Sequence, residues 1–536
     1  MYRLIKSISV LLLGAMAALA QHAQHAMPRT EKPVELMGHL GPYSHKISTG
    51  NPEAQKFFDQ GLNLMYGFNR YEALRSFRKA AELDPGAPMP LWGIAMALGP
   101  HINMEMDADV NLKEGCAALA KAAGLKASVY ERAYLEAAGS RCPEYQPDQA
   151  IAAMRRLHEA YPDDPDAAAI YAESLMVKVR WKWWNADGTP AEGTAQAVST
   201  LEQVLRRYPN HPGANHFYIH AVEMSPSPER AVPSAQRLMA IMPAAGHMVH
   251  MPGHIWLILG EWETAASVNE RAAQVDREYF ARTGVQGAYL GYYIHNVHFI
   301  AYARSMQGRP NEAVAASDLM VSEAAPAVEG MAEMIDAFMP YAIFTRLRFG
   351  RWDELLKLEK PNPKLLATTA LWHWGRAQAY AGKGDKGGAA REAALFQESR
   401  GKVPATWPWM NSKAVDVLSL ADAILQARLA ADAASAVPYW KRAVELQDGL
   451  NYDEPPAWYM PVRESLGAAL LRAGDAVGAE AVFREGIRRS VRNGRMLFGL
   501  TKALEAQKKT ESAGFVRAEF EREWKTGNPQ LQLEGM

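Results

Sequence analysis

Residues 57 to 85, FFDQGLNLMYGFNRYEALRSFRKAAELDP, carry Gly61, Ala73, Phe77, Ala80 and Pro85 at the offsets that two packed helices require. Small residues at Gly61 and Ala73 let the helices approach, Phe77 fills the seam, and Pro85 ends the second helix. The pattern recurs with decay along the chain, at Ala150, Met154 and Pro162, at Ala197, Leu201 and Pro209, and at Ala231, Ala235 and Pro243. Later copies are marked by turns: Gly260-Glu261-Trp262, Gly308-Arg309-Pro310, Gly350-Arg351-Trp352, Gly384-Asp385-Lys386 and Gly474-Asp475-Ala476. Each turn precedes a helix with Ala265, Ala313, Leu355, Ala389 or Ala479 at the packing position. A chain of 536 residues is too long for one compact core unless the core is built by repetition. No segment alternates apolar and polar residues long enough for a sheet. The expectation is an all-α solenoid of roughly eleven or twelve helix pairs.

The offsets in residues 57 to 85 resemble a tetratricopeptide repeat, a helix–turn–helix unit of about 34 residues. The resemblance covers most of the chain and is specific for fold, not for activity. With the N-terminal residues read separately below, the sequence divides into an export signal (1–20), an extended N-terminal segment (21–50), N-terminal repeats (51–165), repeats rich in histidine (166–325) and C-terminal repeats (326–536). Two insertions interrupt the repeats: PHINMEMDADV (100–110), with His101, Met104, Glu105 and Asp107, and VRWKWWNADGTPAEGT (179–194), with Trp181, Trp183, Trp184 and Asp187. Both could close over a groove.

The start of the chain reads as a secretion signal. Arg3 and Lys6 give a basic start, Ile8 to Leu19 an apolar stretch, and Ala18-Leu19-Ala20 a small-residue cleavage site before Gln21. The apolar run is too short for a membrane span, so a mature chain beginning near Gln21 is expected in a periplasm or outside the cell. Charge is balanced, 58 basic residues against 59 acidic, which leaves no electrostatic footprint for nucleic acid. In an oxidising compartment Cys116 and Cys142 could form one disulfide between neighbouring helices, whereas two thiols alone make a poor metal framework.

Seven of the fifteen histidines lie between His216 and His298, where an even spread would put roughly two. They fall in three groups: His216 and His220 with Glu223; His247, His250 and His254; His295 and His298 with Tyr302. At about 100° per residue, each group occupies an arc of ~60° on one helix face. Imidazole and carboxylate are the usual ligands of zinc, copper and iron. In the tetratricopeptide family the first helix of each unit lines a concave groove through its second, fifth, ninth and twelfth positions. Counting from Ala231, Ala265 and Ala313, the resemblance assigns all three stripes to that groove. In AAIYAESLM it places Glu173 there too, from the preceding unit. The segments AAIYAESLM, HFYIHAVE and GHMVHMPGHI also resemble motifs of exported bacterial repeat proteins, a likeness that brings no chemistry with it.

A histidine stripe could also be a peptide-binding surface, the commonest use of this groove in the family, with a small molecule, a peptide or a protein as partner. Uncoordinated imidazoles at close range gain nothing from one another, however, and a shared metal removes that objection. His216, His220, His250 and His254 are the leading ligands, followed by His247, His295 and His298. Zinc is the default, with copper and iron open, since Met248 and Met251 could favour copper(I). The segment His247–His254 resembles no zinc-protease signature, because no Glu follows its first His. If there is catalysis, its base must come from elsewhere, from Glu223, Glu173 or a loop residue such as Glu105, and Tyr302 either donates a hydrogen bond to a bound oxygen or simply packs. So many imidazoles suggest two ions, or one ion plus groups that bind substrate and move protons. Among the rest, His373 reads as a core histidine, His22 and His25 as loose binders, His158 and His211 as surface and turn residues. His39 and His45 could fold back into the groove. Residues 451–464 read as a second contact surface or a Pro-fixed repeat junction, with Glu464 on a first helix.

Overall fold

A computed structural model of the chain describes residues 32–103, 110–285, 287–527 and 531–536. The export signal, His22, His25, Met104, Glu105 and Asp107 lie outside the described residues. The chain divides into two compact units: residues up to Ile255 with Val268–Asn296, and Trp256–Ser267 with Val297–Met536.

Helix pairs succeed one another as the repeat pattern requires. The first unit holds α1 (Pro52–Tyr66), α2 (Arg70–Leu83), α3 (Met89–Ala97), α4 (Leu112–Ala123), α5 (Val129–Gly139) and α6 (Pro147–Ala160). It continues with α7 (Pro165–Lys178), α8 (Thr194–Arg207), α9 (Pro212–Glu223), α10 (Val232–Ile241) and α11 (Gly246–His250). The unit boundary cuts α12 (Pro252–Ile258), α13 (Trp262–Thr283) and α14 (Leu290–Met306). The second unit runs from there through α15 (Pro310–Ala324), α16 (Val328–Ile335), α17 (Tyr341–Arg348), α18 (Trp352–Leu356), α19 (Leu366–Gly382) and α20 (Lys386–Arg400). A two-residue antiparallel hairpin, β1 (Pro408–Trp409) with β2 (Ser412–Lys413), precedes α21 (Ala414–Leu429) and α22 (Ala433–Asp448). The chain ends with α23 (Arg463–Arg472), α24 (Ala476–Arg489), α25 (Gly494–Ala506) and α26 (Thr510–Glu523). Among the described residues no helix is long and apolar enough to cross a membrane.

The side chains singled out in the sequence sit where the repeat needs them. Ala73, Ala150, Ala197, Ala231, Ala265, Ala313, Leu355, Ala389 and Ala479 are all buried. Phe77 on α2 lies so close to the backbones of α1 and α3 that a Cβ at Gly61 or Gly93 would collide with its ring, and Phe483 stands in the same relation to Gly467 and Gly499. The glycines of the five expected turns all take positive φ, from 65° at Gly350 to 89° at Gly474, a region strained for other side chains. In the first hairpin Phe68 occupies that place, at φ 55°.

Two features tie the first unit together. Residues 32–50 form a non-helical strap, in which the Met37 amide donates to Gln60 Oε1 at 2.7 Å and the Ser48 amide to Glu131 Oε1 at 2.8 Å. Cys116 on α4 forms a disulfide with Cys142 beyond α5, Cα to Cα 5.7 Å, as the two-cysteine reading allowed.

Candidate metal centre

Each histidine-bearing helix is set by local chemistry. At the start of α9, Pro212 occupies a position whose N–H would have no partner, and the Ala214 amide donates to His211 Nδ1 at 2.9 Å. That cap fixes the phase which brings His216, His220 and Glu223 to one side. α11 opens at Gly246 because the Asp276 carboxylate fills the space a Cβ would need. His247 and His250 follow on α11, and α12 restarts at Pro252 to deliver His254. His295 comes from the first turns of α14.

The stripes converge. Ligand atoms of His216, His220 and His247 lie within 4.8 Å of one another, and so do those of His250, His254 and His295. His216 Nε2 stands 3.1 Å from His247 Nε2, and His250 Nε2 stands 2.7 Å from His254 Nε2. On three of these four rings the opposite nitrogen is taken by the protein, while His247 Nδ1 is buried without a partner. His216 Nδ1 meets the Tyr66 carbonyl oxygen at 2.5 Å, and His250 Nδ1 meets Asn269 Oδ1 at 2.6 Å. Glu223 receives two imidazoles, His220 Nδ1 on Oε1 at 2.9 Å and His254 Nδ1 on Oε2 at 2.6 Å.

These partners settle the tautomers. A carbonyl and a carboxylate can only accept, so Nδ1 of His216, His220 and His254 must each carry hydrogen. In a neutral ring Nε2 is then a bare lone pair. His220 Nε2 is buried and has no partner. His250 Nε2 and His254 Nε2, each opposite an Nδ1 held by an acceptor, stand 2.7 Å apart, a meeting of lone pairs that a cation would relieve, whereas at 3.1 Å His247 Nε2 either donates to His216 Nε2 or shares a cation with it. The wider spacing is close to the roughly 3.3 Å that two nitrogens bound at about 2.05 Å to a tetrahedral ion subtend. Acceptors on the outer nitrogen and lone pairs inward are how metal-binding histidines are held.

Burial forbids a cheaper answer. His216, His220, His247, His250, His254 and Glu223 are at most 2 % exposed, and His295 is half-buried. Burial, reinforced by the neighbouring imidazoles, holds the pKa values of His216, His247 and His250 well below the ordinary histidine range. His220 is lowered by burial as well, against the pull of Glu223. Burial alone would raise Glu223, but His254 and His220 hold its carboxyl low and ionised. His216, His220, His247 and His250 are therefore neutral bases, with the Glu223 carboxylate beside them. They are packed inside the unit rather than spread along an open surface. Phe68 stands against three of them, ring centroids 4.3 Å from His216, 5.2 Å from His247 and 6.2 Å from His220. From the second insertion, Trp181 meets His220 edge-on at 5.6 Å, while Trp184 Nε1 donates to the Ala221 carbonyl at 2.8 Å.

Other expected residues fall elsewhere. His298 packs against the rings of Tyr341 and Phe338, at 4.2 and 5.5 Å, and burial lowers its pKa to about 3. Tyr302 sits in an apolar cluster with Leu257, Trp262, Phe299 and Met306, which favours the packing reading. Glu173 is buried on α7, where burial raises its pKa against Arg70 and Arg141, and its Oε1 lacks a partner. Among the described residues none of these three joins the converging groups. His373 is a core histidine, its Nδ1 2.7 Å from Glu392 Oε2. Glu464 is buried in a bidentate pair with Arg348, at 3.1 and 3.2 Å, as part of a repeat junction.

Several contributors carried no sequence signal. The Tyr66 carbonyl, Asn269 and the Phe68 ring lie outside the histidine stripes. His211 caps α9 at the turn expected of it, and both it and His45 are buried on Asp166, at 3.2 and 2.7 Å, with Tyr66 Oη donating to the same carboxylate at 2.5 Å. Burial would raise the pKa of Asp166, but hydrogen bonds from His211 and His45 hold it far below the usual range.

No protein-family model matches the sequence, and no curated protein matches it. Among solved structures, the chain is similar to human IFIT1, seen as a dimer with m7Gppp-AAAA, at 11% identity over 89% of this chain and 91% of that one, with TM-score 0.33. It is similar to a chain of the APC/C hetero-tetramer Cut9-Hcn1 at 12% identity, covering 93% and 77%, with TM-score 0.30. Yeast Tom70 stands at 12% identity, covering 88% and 93%, with TM-score 0.29.

Proposed function

We propose that this chain is an exported helical-repeat protein that holds a transition metal in the histidine cluster of its first unit. The observation that carries the reading is the orientation of the rings: the Nδ1 nitrogens of His216, His220, His250 and His254 are engaged by acceptors outside, and the Nε2 lone pairs of His250 and His254 are pressed together inside. Imidazoles with a carboxylate beside them suit zinc, with copper and iron as the alternatives. Bound zinc supplies a Lewis acid and a water ionisable near neutral pH, and we extend the reading to a metal-dependent hydrolase. In that chemistry Glu223 orients His220 and His254, since both its oxygens already accept from them. Export is supported by the basic and apolar N-terminal residues and by the Cys116–Cys142 disulfide.

A metal-free scaffold for peptides or proteins is the competing reading that a helical repeat suggests. Against it stands the burial of the histidines, which withholds them from a docked chain.

The test is a metal count. A chain beginning at Gln21, purified without a histidine tag, is expected to carry at least one equivalent of metal by elemental analysis, lost when His216 and His250 are both changed to Ala. Less than half an equivalent, unchanged in that variant, overturns the proposal. The hydrolase extension requires ester or peptide hydrolysis that stops on metal removal and returns with zinc.

A further inference from the structure

We infer that the cluster is a paired site for two divalent ions, each bound by three imidazoles and joined by Glu223; this rests on the metal-binding reading above. The histidines do not form one ring of ligands. They form two closed sets, His216–His220–His247 and His250–His254–His295, each with its ligand atoms within 4.8 Å. Every set combines an i, i+4 pair from one stretch of chain with a single imidazole from another. The rings of the pairs lie 5.0 Å apart for His216 and His220 and 4.7 Å apart for His250 and His254. The third member is His247 on α11 in one set and His295 on α14 in the other. His247 and His250, one turn apart on α11, stack at 27° with centroids 5.5 Å apart and so belong to different sets.

Three imidazoles are the usual protein complement of a zinc ion that keeps one coordination position open. Two such sets side by side supply two ions. Glu223 connects the sets without belonging to either: one oxygen accepts from His220, the other from His254, and those rings meet edge-on at 5.4 Å. A carboxylate behind one ligand of each site fixes both rings and offsets part of the charge that two buried cations bring. The same residues admit one rival, a single ion held by His220, Glu223 and His254, whose ligand atoms also lie within 4.8 Å of one another.

Titrating the metal-free chain with cobalt(II), followed by its visible d–d absorption, discriminates these arrangements, and zinc content by elemental analysis provides the second measure. The paired site predicts a break at two equivalents. It also predicts one equivalent retained in the H216Q/H247Q variant, one in H250Q/H254Q, and none in the quadruple variant. A wild-type break at one equivalent overturns the pairing and leaves the metal-binding proposal standing, while no binding at all overturns both. The wild-type stoichiometry decides even if a double variant fails to fold. Retention of two equivalents in either double variant also refutes the assignment.

Discussion

Replacing Glu223 by Gln is the sharpest probe of the ring orientations. The carboxylate is 2 % exposed and accepts from two imidazoles, at 2.9 Å from His220 and 2.6 Å from His254. A glutamine keeps one accepting oxygen and presents an NH2 to the other ring. That ring must then move its proton from Nδ1 to Nε2, so that Nδ1 can accept. The inward lone pair that the proposed metal would use is lost, and one proposed set falls to two working ligands. Loss of a group behind a metal-binding histidine typically weakens binding 10- to 100-fold, about 1.4 to 2.7 kcal/mol. The metal-free fold loses one charge-assisted hydrogen bond, worth roughly 1.5 to 3 kcal/mol, partly offset because a buried charge is also removed. Zinc affinity is to be measured by competition with a chromophoric chelator, and metal-free stability by urea unfolding of both proteins. Affinity within threefold of wild type, in a folded variant, would refute the tautomer argument.

Three further outcomes follow from the structure. Asp276 is fully buried and burial lifts its pKa to about 8, so the folded chain keeps a proton that the unfolded chain releases near pH 4; its contribution is whole below that and is lost as pH rises towards 8, by about 1.4 kcal/mol per unit. The D276N variant should therefore gain stability relative to wild type between pH 5 and pH 8 in metal-free urea titrations, and a pH-independent difference would contradict this. Removing the disulfide by C116S/C142S should lower stability by about 3.5 kcal/mol on chain-entropy grounds for a 26-residue separation, an effect that reduction of the wild type should reproduce. Tyr302→Phe and His298→Gln should leave the metal content of the chain unchanged, and a drop in either would return these residues to the site.

Much of the fold was legible because a helix hairpin is specified locally. A small residue where two backbones meet, an aromatic in the seam and a glycine at positive φ leave traces within a few residues of each other, as Gly61, Phe77 and Gly260 show. Six of the seven histidines were legible for the same reason, since helical phase brings them to one side. His298 and Tyr302 share that phase but not the place. Seven residues of helix separate His295 from Tyr302, about 10.5 Å along the axis, so a correct face does not guarantee a shared point. Burial was not legible: the stripes look like the lining of a groove until Phe68 and Trp181 are placed against them. Nor could sequence periodicity disclose the Tyr66 carbonyl or Asn269, which reach the cluster from other helices.

The bond from His216 to the Tyr66 carbonyl spans 150 residues, and Tyr279 Oη reaches Glu72 across 207, at 3.2 Å. Tandem repeats ordinarily touch only their neighbours, so they fray from the ends and tolerate the loss of a terminal repeat. Here the opening hairpin supplies the backbone acceptor and the aromatic ring of a centre built by much later repeats. Its histidines come together only after a large loop has closed, a slow and cooperative event. Truncation from the N-terminus should thus act as an all-or-none lesion, dissolving the histidine centre rather than shortening the array by one step.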